Sequence, residues 1–230
     1  MGRSRKRRNN PAPGLKAPGP HQRAPGPHQR APDPRQRASG PRQSAPGPRQ
    51  SAPVAAASST RLFFAAWPAP DVQQALGDFA RSAQRECDGR VVPAHNIHLT
   101  LVFLGAISHE RLGGLETLAA TIKGEPFTLE VDRVDYWRHN RIVWAGVKEC
   151  PDSLTALVKR MAQVLTGVGF QLDNRPYVPH VTLLRDAARA PAQNRLAPIA
   201  WPVTEFSLVE SVQLEHSHLY EVLQSWPLGS

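Results

Sequence analysis

The strongest constraint in this chain is an internal repeat. Two tetrapeptides of one form, HLTL from His98 and HVTL from His180, lie within longer segments that also correspond. Arg61 to Trp67 (RLFFAAW) precedes the first and Arg141 to Val147 (RIVWAGV) the second, starting 37 residues (61 to 98) and 39 residues (141 to 180) before the histidines. Phe127 to Val131 (FTLEV) and Phe206 to Glu210 (FSLVE) follow, starting 29 and 26 residues after them. The apolar runs read as buried strands, the first bounded by Pro68. Between run and histidine each half has a stretch of helical period. The first opens at Asp71 as N-cap, with Gln74 three residues on, and carries Val72, Leu76, Phe79 and Ala83. The second opens near Asp152 or Ser153 and carries Leu154, Leu157, Val158, Met161 and Leu165 on one face. Strand, helix, His-strand, connector and strand, repeated in one order, predict two similar lobes sharing a core or a cleft.

Composition bounds where this repeat can fold. Residues 1 to 60 hold 12 of the 23 prolines, no aromatic residue and almost no large aliphatic one, so they lack the apolar surface that offsets chain entropy. Five heptads run from Ala17 to Ser51, beginning APGPHQR and ending APGPRQS, and proline at alternate positions forbids helix and ladder. No heptad position is large and apolar, which excludes a coiled coil and leaves an extended, partly polyproline II tail. The folded domain is expected over residues 61–230. Of the net charge of +9, the tail carries 12 bases and one acid, Asp33, leaving 16 bases against 18 acids in the rest. The domain is therefore not a basic surface. Any action on a polyanion must come from a local site, with the tail adding at most weak, salt-sensitive affinity.

The His-x-Thr form has a chemical reading. On a strand, side chains alternate, so His98 and Thr100 share one face while Leu99 and Leu101 share the other, and His180 with Thr182 stand likewise against Val181 and Leu183. A single His/Thr pair on a strand is usually a half-buried polar pair with no further role. Two pairs at matching places in a repeat bring two imidazoles and two hydroxyls to one cleft. That set suits a phosphodiester: one imidazole takes a proton from the attacking water, the other gives one to the leaving oxygen, and hydroxyls hold the non-bridging oxygens. Such a pair predicts a bell-shaped pH profile with its maximum near neutrality. Arg185, near the end of the second strand, is within reach of the same phosphate.

The remaining signals exclude more than they suggest. His95 edges the first motif, His109 lies at a helix start, His139 in a turn, and His216 and His218 at a hairpin near the C-terminus. No HExxH or paired CxxC supplies a zinc site, and no GxxxxGK[ST] loop or GxSxG elbow is present, so neither metal nor cofactor is expected. Cys87 and Cys150 are too few for a disulfide framework and read as unreactive thiols of a reducing cytoplasm. No apolar run reaches membrane-spanning length.

With these residues in place the sequence resembles the two-histidine phosphoesterase superfamily, and within it the bacterial RNA 2′,3′-cyclic phosphodiesterases, formerly called 2′-5′ RNA ligases. The resemblance covers Arg61 to Leu223 and rests on RLFFAAWP, HLTLVFLG, RIVWAGV and RPYVPHVTLLR. It implies an α+β fold: a bilobal pseudo-twofold repeat, antiparallel sheets lining a central cleft, helices outside. It implies His98 as proton donor, His180 as proton acceptor, Thr100 and Thr182 as phosphate-orienting hydroxyls, and Arg185 as a phosphate contact. The expected substrate is RNA ending in a 2′,3′-cyclic phosphate, acted on by a cytoplasmic monomer without metal or cofactor. The alternatives are 2′-5′ ligation or another nucleotide phosphodiesterase activity at the same site, or a nucleotide-binding module without turnover. The tail has no counterpart in the family pattern.

Overall fold

The computed structural model describes residues 59–213 and 218–229, so the tail reading and His216 lie outside the described residues. The apolar run at Arg61 lies in β1 (Ser59–Ala66), which starts two residues earlier and is followed by α1 (Pro70–Cys87) and β2 (Arg90–Val91). β3 (Leu99–Ser108), α2 (Leu112–Ala119) and β4 (Phe127–Trp137) complete the first half. The second half holds β5 (Ile142–Gly146), α3 (Asp152–Gly167), β6 (His180–Arg185), β7 (Arg195–Val203), β8 (Glu205–Gln213) and β9 (His218–Pro227). Asp71 is not the cap of α1. Pro70 occupies the first turn, its fixed φ starting the helix without a side-chain cap, and Asp71 follows in that turn.

The strands form two antiparallel sheets, ordered β3-β1-β8-β9 and β2-β6-β5-β4-β7. Two similar lobes are present, as the repeat predicts, but neither is made from one half of the chain. β4, which follows the first histidine, pairs with β5 of the second half, and β8, which follows the second, pairs with β1. The helices cross as well: α1 packs on β6 and β7, and α3 packs on β3. Leu62, Phe64, Leu76, Leu99, Leu157, Met161, Leu183 and Trp201 are among the fully buried side chains of the core these exchanges create. A smaller cluster, Phe63, Ala65 and Val209 with Trp67 and Tyr220 against it, lies on the other face of the first sheet. That face is where His98 stands.

The ladders also correct the alignment of the halves. Thr100 pairs with Ala65 and Ala65 with Ser207, whereas Thr182 pairs with Trp144 and Trp144 with Asp135. Ala65 therefore corresponds to Trp144, one residue off the match of RLFFAAW with RIVWAGV. The FTLEV and FSLVE segments occupy corresponding strands but not corresponding rungs, because Ser207 directly follows Phe206 while Asp135 lies eight residues beyond Phe127.

Candidate active site

Both His-x-Thr-Leu motifs carry the same irregularity. In β3 the register steps from Thr100 opposite Ala65 to Val102 opposite Phe64, so Leu101 has no partner on β1. In β6 it steps from Thr182 opposite Trp144 to Leu184 opposite Val143, leaving Leu183 without one. Each is a β-bulge at the leucine of the motif, and each puts two consecutive residues into the core: Leu101 with Val102, Leu183 with Leu184. The bulge decides where Arg185 points. Strict alternation from His180 would put Arg185 on the leucine side; the extra residue returns it to the side of His180 and Thr182, where it lines the cleft. Phe103 holds the corresponding place on β3 and is half exposed.

The cleft has a volume of about 190 Å3 and is lined by His98 and Asn96, by Thr182 and Arg185, by Arg90, and by His218 and Tyr220 of β9. Three of the five residues singled out in the sequence line it, His98, Thr182 and Arg185, and Thr100 joins them through its hydrogen bond to His98. His180 is not among the lining residues; it stands two residues before Thr182 on the same face of β6, and its charge bears on His98. Arg90, His218 and Tyr220 were missed as site residues. Their only sequence signal was polar or aromatic character, and β2 and β9 bring them in from distant parts of the chain.

The imidazoles are held alike. Nδ1 of His98 lies 2.7 Å from the Asn96 carbonyl, and Nδ1 of His180 lies 2.8 Å from the Val178 carbonyl, in each case two residues upstream. A carbonyl only accepts, so both Nδ1 atoms carry the hydrogen, and both Nε2 atoms are left with a lone pair in the neutral ring. The Thr100 hydroxyl donates to Nε2 of His98 at 3.1 Å. The rings around them differ. His98 is stacked on Trp67 (5.0 Å, 10°) and meets Tyr220 edge-on (5.0 Å, 82°). His180 meets Trp137 edge-on (4.5 Å, 67°).

These surroundings set the proton affinities. Burial pushes His98 down to about 4, with the positive charges of Arg185 and His180 adding to the effect and the bond to Asn96 opposing it. His180 is also lowered, by burial first and then by Arg185, against the bond to Val178. Free of any anion, both rings are neutral at pH 7. The profile expected near neutrality therefore shifts to the acid side for the empty site, while a bound phosphate, being negative, favours the protonated form and moves it back.

No group of three or more His, Cys, Asp or Glu able to hold a metal occurs among the described residues, and no described helix is long and apolar enough to cross a membrane.

A bilobal α+β fold with a His-x-Thr pair from each lobe defines a two-histidine phosphoesterase, and the chain belongs to the 2′-5′ RNA ligase superfamily, whose family model matches residues 68–216. It is 35% identical over 173 residues to the RNA 2′,3′-cyclic phosphodiesterase of Escherichia coli K12, a match covering 73% of this chain and 96% of that one. The protein of the same name from Geobacillus stearothermophilus is 32% identical over 172 residues, covering 69% of this chain and 54% of its own. The crystal structure of E. coli LigT complexed with 3′-AMP superposes with a TM-score of 0.67 at 33% identity, covering 75% of this chain and all of that one.

Proposed function

We propose that this chain hydrolyses the 2′,3′-cyclic phosphate at the end of an RNA to a 2′-phosphomonoester with a free 3′ hydroxyl. The observation that carries this reading is the pair of imidazoles held by matching Nδ1 bonds, with His98, Thr182 and Arg185 lining one cleft and His180 two residues before Thr182 on the same face of β6. The names of the relatives give the substrate class.

Nε2 of neutral His180 takes a proton from water as its oxygen attacks phosphorus. The P–O3′ bond breaks, and the departing 3′ oxygen takes a proton from Nε2 of protonated His98. This division of labour is the one the resemblance to the family implies. Thr100, Thr182 and Arg185 hold the non-bridging oxygens, whose charge grows as the bond to water forms. The same geometry, with a 5′ hydroxyl attacking phosphorus in place of water and the 3′ oxygen again departing, gives the 2′-5′ ligation that the family's name describes.

The purified protein incubated with RNA ending in a 2′,3′-cyclic phosphate, with products compared with authentic 2′- and 3′-phosphate standards, tests this. A 2′-phosphate is expected. A predominant 3′-phosphate would reverse the roles of His98 and His180, and binding of the RNA without turnover would leave only a nucleotide-binding module.

A further inference from the structure

The two lobes meet near the reacting groups through a contact that the His-x-Thr motif does not include. Tyr177, three residues before His180, donates its phenolic hydrogen to the backbone carbonyl of Thr100 at 3.0 Å. The acceptor belongs to the first motif and the donor to the segment leading into the second. Val178, next to Tyr177, supplies the carbonyl that holds Nδ1 of His180. One hydrogen bond therefore ties the neighbour of the residue that orients His180 to the strand that begins directly after His98.

The place of this bond in the fold shows why it is needed. β6 is flanked on both sides, by β5 and by β2, and the segment after β2 adds a bond from the Val92 amide to the Leu183 carbonyl. β3 is an edge strand, paired with β1 alone, and its ladder is interrupted directly after Thr100 by the bulge at Leu101. The carbonyl that Tyr177 reaches is thus at the weakest-supported point of the first motif. The corresponding orienting carbonyl for His98 has its own anchor: the Asn96 side chain donates to the His218 carbonyl of β9 at 2.8 Å. Val178 has an exposed aliphatic side chain, so Tyr177 beside it is the anchor of the second.

We propose that Tyr177 is a positioning residue that fixes the separation and relative orientation of His98 and His180. Its ring packs against the shared core, and burial pushes the phenol well above its ordinary pKa, so the O–H remains a donor across any working pH. A displacement of about 1 Å between acid and base costs on the order of 10²-fold in rate without removing either group. The inference rests on the two-histidine reading of the mechanism, and it adds the device that holds the two catalytic halves in register.

The test compares the full chain with its Tyr177→Phe variant, which keeps the ring and deletes the hydroxyl. On RNA ending in a 2′,3′-cyclic phosphate, kcat should fall roughly tenfold or more while KM changes by less than about threefold. Combined with His180→Ala, the same substitution should cost less than about twofold, because the group it positions is gone. Titration of the imidazole resonances by NMR, with and without inorganic phosphate, should show His180 moved further down in the variant, because the Val178 bond that raises it is loosened, while His98 keeps its depressed titration. Overturning results are a kcat within twofold of the unsubstituted protein, an undiminished loss on the His180→Ala background, an unmoved His180 titration, or a variant that fails to fold, which would make the hydroxyl a purely structural bond. Should the unsubstituted protein not turn over this RNA, the functional reading fails, and the titration still decides the role of Tyr177.

Discussion

The two lobes present the same motif in different settings. Trp67, directly after β1 and its last residue Ala66, the partner of Leu99, lays its indole flat against the His98 ring. Gly146 pairs with His180 and contributes no side chain, leaving Trp137 to meet that imidazole by its edge. Arg185 on β6 is matched by Phe103 on β3, and Arg61 lies 5.7 Å from the centre of the Phe103 ring. The repeated motif thus fixes what each lobe offers, an imidazole with Nε2 exposed to chemistry. The unrepeated neighbours fix how deeply each ring is buried, and with it how far its proton affinity is lowered.

Replacing His98 or His180 by Ala is the largest expected effect. Each should lower kcat/KM by roughly 10²- to 10⁴-fold, and the double variant should be little worse than either single one. Fully multiplicative losses in steady-state kinetics would show two independent groups and dissolve the pairing.

Gly146→Ala tests the second lobe. A Cβ there would lie 2.6 Å from the Trp144 ring and 2.9 Å from the Pro179 carbonyl, next to His180. Overpacking of that kind costs about 1–3 kcal/mol, and denaturant unfolding together with a fall in kcat should register it. Unchanged stability would mean that the glycine is not required by the His180 side of the cleft.

Trp67→Ala tests the first lobe, with a smaller loss of activity, about tenfold in kcat/KM. Exposing the ring should move His98 up from about 4 toward its ordinary value, measurable by NMR titration. The sign for stability follows: with the folded pKa depressed, the unfolded chain binds more protons as pH falls from 6.5 to about 4, so stability declines across that window. The variant should show a shallower decline. In the unsubstituted protein the maximum of kcat/KM should lie on the acid side of neutrality, with that of kcat at higher pH once phosphate is bound. A monotonic rise through pH 9 would argue against imidazoles in both roles.

The smallest expected effect is that of excess EDTA. Neither lobe supplies a metal ligand in the proposed mechanism, so initial rates should stay within about twofold. Loss of activity restored by a divalent ion would replace the paired-imidazole mechanism.

Local features were legible and distant ones were not. His98, Thr100, His180 and Thr182 could be read because two-residue alternation is written in adjacent positions. Arg185 was selected for its reach, yet alternation alone puts it on the wrong face; the bulge at Leu183 that corrects this leaves no mark in the sequence. Matching the halves by residue type set Phe64 against Trp144, but the ladder register, shifted by one residue, sets Ala65 against it. The crossing of β4 and β8 between sheets depends on pairing across the whole domain, and so do the cleft positions of Arg90, His218 and Tyr220.

That crossing bears on how the chain is made. During synthesis β1 and β3 emerge early, but β1 must wait for β8, nearly at the other end, before its second edge is covered. β4 likewise precedes its partners β5 and β7, so the five-stranded sheet is complete only after β7 and the four-stranded sheet only after β9. The nascent protein carries open, apolar strand edges until its last strands leave the ribosome, and its pairings are of high contact order. Exposed edges of that kind are where an incomplete chain aggregates, so protection is needed during that interval and not after the domain closes.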